Sequence, residues 1–170
     1  MFAPPRVRHV LVPIFVGLCC VLPLSRVHAA GLYGSDTASD TAVVINQGDS
    51  SASAIGGNVG EVGDSGFPFV PGLTYDPDTR TLYGVDINAD QLIKIDTATG
   101  AATGIGSAGQ LADDGFPGIK GLAFDPDTNT LFGVDTGGTP DPVAHQILSI
   151  DPSTGVATGI GSSGQLSEGG

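Results

Sequence analysis

Apolar and polar positions alternate along short stretches of this chain. From Gln91 to Asp96, Ile93 and Ile95 alternate with Leu92, Lys94 and Asp96, and from Gln146 to Asp151, Leu148 and Ile150 alternate with Ile147, Ser149 and Asp151. A period of two is the signature of a pleated strand. No window of comparable length shows a helical period, and the abundant Gly, Thr and Asp oppose helix. The pattern predicts four strands per unit: Gly72–Asp76 and Gly121–Asp125 (A), Thr81–Asp86 and Thr130–Asp135 (B), Gln91–Asp96 and Gln146–Asp151 (C), Ala101–Gly106 and Val156–Gly161 (D). The fold class is all-β.

Those units are copies of one another. Leu73, Asp76, Pro77, Gly84 and Asp86 recur 49 residues later at Leu122, Asp125, Pro126, Gly133 and Asp135. After a six-residue insertion the offset becomes 55, linking Ile95, Gly100, Ile105 and Gln110 to Ile150, Gly155, Ile160 and Gln165. A fainter copy precedes both, with Leu32, Tyr33, Gly34, Asp36, Ile45 and Ile55 each 50 residues before their counterparts. Self-similarity at this period marks a repeat architecture.

Turn chemistry joins the strands. In Asp76-Pro-Asp-Thr and Asp125-Pro-Asp-Thr, proline presets φ and the aspartates can accept nearby backbone N–H groups. Asp96-Thr-Ala-Thr-Gly100 and Asp151-Pro-Ser-Thr-Gly155 connect C to D, with glycine free to take positive φ. Short hairpins impose antiparallel neighbours, so each repeat is a four-stranded meander. The motifs G-L-x-[YF]-D-P-D-T-x-T-L-[YF]-G-V-D and Q-[LI]-[IL]-x-I-D-x-x-T-G resemble the YVTN-type and quinoprotein-like β-propeller repeats of exported bacterial proteins. Leu82-Tyr83-Gly84-Val85-Asp86 departs from the Tyr-Val-Thr-Asn of the first family. The resemblance implies antiparallel four-stranded blades of a β-propeller, incomplete in this chain, with blades at about 31–71, 72–120 and 121–170. A propeller ring needs at least about four blades. The repeats, running B-C-D, A-B-C-D, A-B-C-D, are therefore expected to be the N-terminal part of a longer protein, or to be completed by several chains together as a homo-oligomer. An open arc with long exposed edges is the remaining arrangement.

The first 29 residues read differently. Arg6, Arg8 and His9 precede an apolar run from Val10 to Leu24, and Val27-His28-Ala29 suits cleavage after Ala29. This is a signal-peptide pattern, and the apolar run falls short of the roughly 20 residues that a spanning helix needs. It implies a secreted or periplasmic protein, with the repeats occupying 30–170. A retained anchor or a lipoprotein signal at Cys19 is the weaker alternative, since Leu18 stands where a small residue would be expected. Cleavage removes both cysteines and leaves Arg80, Lys94 and Lys120 against all 18 Asp and Glu of the chain. That acidic field disfavours nucleic acid and, once the leader is gone, membrane surfaces.

The remaining chemistry is thin. Without cysteine there is no thiol nucleophile and no thiolate metal site. His145 alone cannot build a multi-histidine centre, and it lies in the insertion Thr136–His145. The absence of tryptophan argues against a quinone stacked on an indole. No catalytic and no cofactor-binding residue is assigned. Strand alternation puts the A–B and C–D turns at one end of each blade and the B–C and D–A connections at the other. On that second end Asp64, Asp113, Asp114 and Glu168 are candidate ligands for calcium, a hard cation satisfied by oxygens; the same acids also serve simply to solvate Gly-rich loops. Asp86 and Asp135 are expected to bond backbone N–H groups of the next turn. Tyr75, Phe124, Tyr83 and Phe132 are expected to pack between blades. The reading is a noncatalytic binding or structural module whose unknown ligand or protein partner meets the B–C/D–A loop face. The rival is the N-terminal part of a propeller hydrolase or lyase whose catalytic residues lie mostly beyond Gly170.

Overall fold

In the computed structural model, residues 31–137, 145–162, 164 and 166 are described. Residues 1–29, expected to be a signal peptide, most of the 136–145 insertion and Glu168 lie outside them. Among the described residues, eleven strands form three antiparallel sheets. The first holds β1 (Leu32–Asp36), β2 (Thr41–Ile45) and β3 (Ala52–Ala54). The second holds β4 (Gly72–Asp76), β5 (Thr81–Asp86), β6 (Gln91–Ile95) and β7 (Ala102–Ile105). The third holds β8 (Ile119–Asp125), β9 (Thr130–Asp135), β10 (Gln146–Ile150) and β11 (Ala157–Ile160). Strands are neighbours in sequence order within every sheet, the meander that short hairpins require.

Register fixes two faces on each sheet. Leu82 pairs with Ile95 and Val85 with Leu92, so Leu82, Ile93 and Ile95 share one face of the second sheet while Tyr83, Val85 and Leu92 share the other. Both are apolar because both are covered. Tyr33, Ala42 and Ile55 of the first sheet pack with Leu82, Ile93 and Ile95 in one core cluster. Tyr83, Val85, Leu92 and Ile105 pack with Leu131, Leu148, Ile150 and Ala157 of the third sheet in the other. The sheets are stacked layers, each turning one face to its predecessor and one to its successor.

Three details depart from the sequence expectation. Strand β8 begins at Ile119 rather than Gly121, with a bulge between Ile119 and Gly121 that lets Ile119 pair with Asp135. The D–A connections carry single-turn helices, α1 (Glu61–Asp64) and α2 (Gln110–Asp113), whose Val62 and Leu111 are buried. Four residues are too few to display a helical period. Finally, the division into two ends holds for the inner strands only. Gly109 and Leu111 N–H donate to Ala89 and Asp90 carbonyls, which joins the D–A connection to its own B–C loop. Yet the end of strand D reaches the C–D turn of the next sheet: a Cβ on Gly106 would lie 2.5 Å from the Thr154 carbonyl oxygen. Strand twist accumulates across a sheet, and it swings the outermost strand toward its neighbour.

Candidate functional site

Six aspartates of the repeats, together with Asn46, perform one and the same structural task. Each tight turn opens on Asp or Asn, whose side-chain oxygen accepts the N–H two residues on: Asp36 from Ala38, Asn46 from Gly48, Asp76 from Asp78, Asp86 from Asn88, Asp96 from Ala98, Asp125 from Asp127 and Asp151 from Ser153. The fifth residue of each turn takes positive φ: Asp40, Ser50, Arg80, Asp90, Gly100, Asn129 and Gly155. The first part was legible from Asp-Pro-Asp-Thr. The left-handed residue was legible only where it is glycine, because Arg80 and Ser50 carry no sequence mark of that conformation. These donors favour the ionised carboxylate. The N–H groups of Ala98 and Thr99 hold Asp96 below its ordinary range, and the hydroxyls of Ser39, Thr128 and Ser153, with backbone N–H groups, do the same for Asp36, Asp125 and Asp151.

Asp86 extends this role. Its Oδ1 accepts Asn88 and Ala89 N–H and its Oδ2 accepts Phe69 N–H at 2.9 Å, clasping the B–C loop to the segment entering strand β4. Asp135 occupies the matched position and is equally buried, but only its Oδ1 is bonded, by Gly137 N–H at 3.1 Å; its Oδ2 has no partner. Nearby Asp90 is held above its ordinary range, first by burial and then by the Asp86 charge.

The calcium candidates fall at matched places on successive sheets. Asp64 and Asp113 end α1 and α2 and are exposed. Asp114 is half-buried and fully engaged, its Oδ1 accepting Gln110 Nε2 at 3.0 Å and its Oδ2 accepting the Ala157 N–H at 2.8 Å. Ser65, one repeat earlier, accepts Ala102 N–H through its Oγ at 3.1 Å. Asp114 and Ser65 thus tie each short helix to strand D of the following sheet, a role that only the fold reveals. Asp113 and Asp114 are adjacent in sequence, whereas Asp64 belongs to the connection one sheet earlier. Among the described residues no group of three or more His, Cys, Asp or Glu is gathered as a metal site. His145 is half-buried, and its carbonyl accepts Leu166 N–H.

Of the four aromatic residues expected to pack between blades, Tyr75, Tyr83 and Phe124 lie between sheets and Phe132 does not. Tyr33 meets Tyr75 with ring centroids 5.0 Å apart, and Tyr83 stacks on Phe124 at 6.0 Å. Phe132 holds the corresponding place on the third sheet and faces a broad apolar concavity shared with Ala123, Val134, Ile147 and Ile160. The repeat provides an internal control for that surface. Val85, Leu92 and Ile105 are 2%, 0% and 9% exposed, whereas their third-sheet counterparts Val134, Ile147 and Ile160 are 38%, 40% and 42% exposed. The same residue types at the same register positions are core in one sheet and surface in the next.

No family model matches the chain, and no curated protein matches its sequence. Its fold is similar to that of a Bacteroides thetaiotaomicron structural-genomics protein of unknown function, solved by crystallography at 1.70 Å. The two share 17% identity at a TM-score of 0.50, over 74% of this chain. This chain spans about 29% of the length of that one, and at this identity the likeness speaks to fold alone.

Proposed function

We propose that the chain is an exported β-propeller repeat module, of the YVTN-like and quinoprotein-like kind its motifs resemble, that works by binding rather than by catalysis. The observation that carries this reading is the use of its titratable groups. Six of the seven tight turns open on an aspartate bonded to the turn's own backbone, and Asp114 ties one sheet to the next. A carboxylate held by two or three donors is a poor proton acceptor and a poor nucleophile. Of the carboxylates not held in this way, Asp64 and Asp113 stand exposed at the B–C/D–A loop end, where a ligand or protein partner would meet them.

The test is turnover and export together. The purified chain, offered ester, glycoside, phosphoester and polyuronide substrates, is expected to turn over none. Activity lost on His145→Ala would replace this reading with the hydrolase or lyase alternative. Export predicts that protein recovered from outside the cytoplasm begins at Ala30, and a cytoplasmic product beginning at Met1 would remove that part.

A further inference from the structure

The stacked sheets meet through two interfaces built from the same register positions. In each, the face carrying Tyr33, Ala42 and Ile55, or Tyr83, Leu92 and Ile105, lies against the opposite face of the next sheet. Among the described residues, such stacking leaves one face without a partner on the first sheet and one on the third. On the third sheet this is the surface of Val134, Ile147 and Ile160. On the first sheet it is the face of exposed Leu32 and half-buried Val43 and Ile45, the positions held by fully buried Leu82, Ile93 and Ile95 in the second sheet. Leu32 is 49% exposed where Leu82 is 0%. The two open faces are therefore the two halves of a contact the chain already makes twice.

We propose that a second copy of this chain supplies the missing half, the open face of the third sheet in one copy seating on the open face of the first sheet in the next. Apolar area of this kind gains by leaving water, at roughly 25 cal/mol per Å². The contact is head to tail, because the two faces belong to different sheets. Repeated with the rotation that relates successive sheets within the chain, it closes into a ring or extends as an open array according to whether that rotation divides a full turn. A twofold pairing of two third-sheet faces has no counterpart inside the chain, where this face always meets the opposite one. The intermolecular contact is weaker than the internal pair. Tyr33 and Tyr83 meet rings from the first strand of a four-stranded sheet, and among the described residues the first sheet has no such strand to offer Phe132. This inference stands whether or not the loop end binds a ligand.

Sedimentation equilibrium of the purified chain, with light scattering across a hundredfold range of concentration, tests it. The expected result is reversible, concentration-dependent assembly, weakened at least tenfold by Ile147→Lys or by Leu32→Lys. The uncharged Ile160→Gln guards against a purely electrostatic effect, and Val59→Lys, at a 70% exposed position on the connection before α1, leaves assembly unchanged. Circular dichroism melts of each variant confirm that it is folded. A mixture of the Ile147→Lys and Leu32→Lys chains retains one good face of each kind and is expected to form a dimer that grows no further. A monomer at every concentration overturns the proposal. So does assembly that Ile147→Lys breaks and Leu32→Lys leaves intact, which is the twofold arrangement.

Discussion

Gly106 offers a direct measure of how tightly the sheets are joined. It has φ of 72°, and a Cβ built there would sit 2.5 Å from the Thr154 carbonyl oxygen of the next sheet. Gly109, three residues on, has φ of 81°, but its Cβ would meet nothing within 4 Å. Alanine at either site carries the left-handed penalty of about 1–2 kcal/mol, offset by several tenths from a stiffer unfolded chain. Only Gly106→Ala adds a collision. Ordinary contact begins at 3.4 Å. The obstacle is backbone, so it cannot rotate away, and the two sheets must part by roughly 1 Å. Overpacking of that size costs about 1–3 kcal/mol more. Gly109→Ala should therefore cost about 1 kcal/mol and Gly106→Ala about 3 kcal/mol. Urea unfolding followed by far-UV circular dichroism reads both, with the difference taken from midpoints at a common slope. Equal losses at the two positions would refute the close approach of strand D to the neighbouring turn.

Leu92→Ala is expected to cost about 2–5 kcal/mol, whereas Ile147→Ala, at the matched but exposed position, should cost about 1 kcal/mol when measured at low protein concentration; similar losses would mean that the third sheet is covered within the chain. Asp86→Ala strips three backbone donors of their acceptor and should cost about 2–4 kcal/mol, well above Asp135→Ala, whose Oδ2 has no partner to lose. For Asp36, Asp96, Asp125 and Asp151 the folded-state pKa lies below the unfolded one, so their contribution is complete above the ordinary carboxylate range and fades as pH falls through the lower folded values. Melts from neutral pH to pH ~2 should show that loss, and Asp96→Asn, which keeps the turn acceptor without titrating, should show less of it; an identical acid profile would remove the argument. With Asp114 already committed to Gln110 and Ala157, millimolar calcium or a chelator is expected to leave the melting temperature unmoved, and a clear rise with calcium would establish the site at Asp64, Asp113 and Asp114 instead.

Much of the fold was legible because it rests on local rules. Alternation and turn chemistry located the eight strands of the second and third sheets to within two residues, and the period of 49 to 55 residues announced a fainter copy before them. Asp-Pro-Asp-Thr announced its turns because their hydrogen bonds join residues two or three apart. Contacts made across distance were invisible: Asp86 to Phe69, Ser65 to Ala102 and Asp114 to Ala157 span 17, 37 and 43 residues. For that reason Asp114 reads in the sequence as a candidate calcium ligand, and its tie to the next sheet stays unseen there. The short helices escaped notice for want of length.

The sequence by itself determined the unit: four strands joined by turns whose first residue is Asp. It did so because period, turn chemistry and side-chain hydrogen bonding act within a few residues. Only the tertiary structure decided which apolar positions are core and which are surface. Leu92 and Ile147 are nearly the same residue in the same local setting, and nothing in their flanking sequence separates them. What separates them is whether another sheet lies on top, since burial is a property of neighbours in space and the hydrophobic effect acts on the area they remove from water.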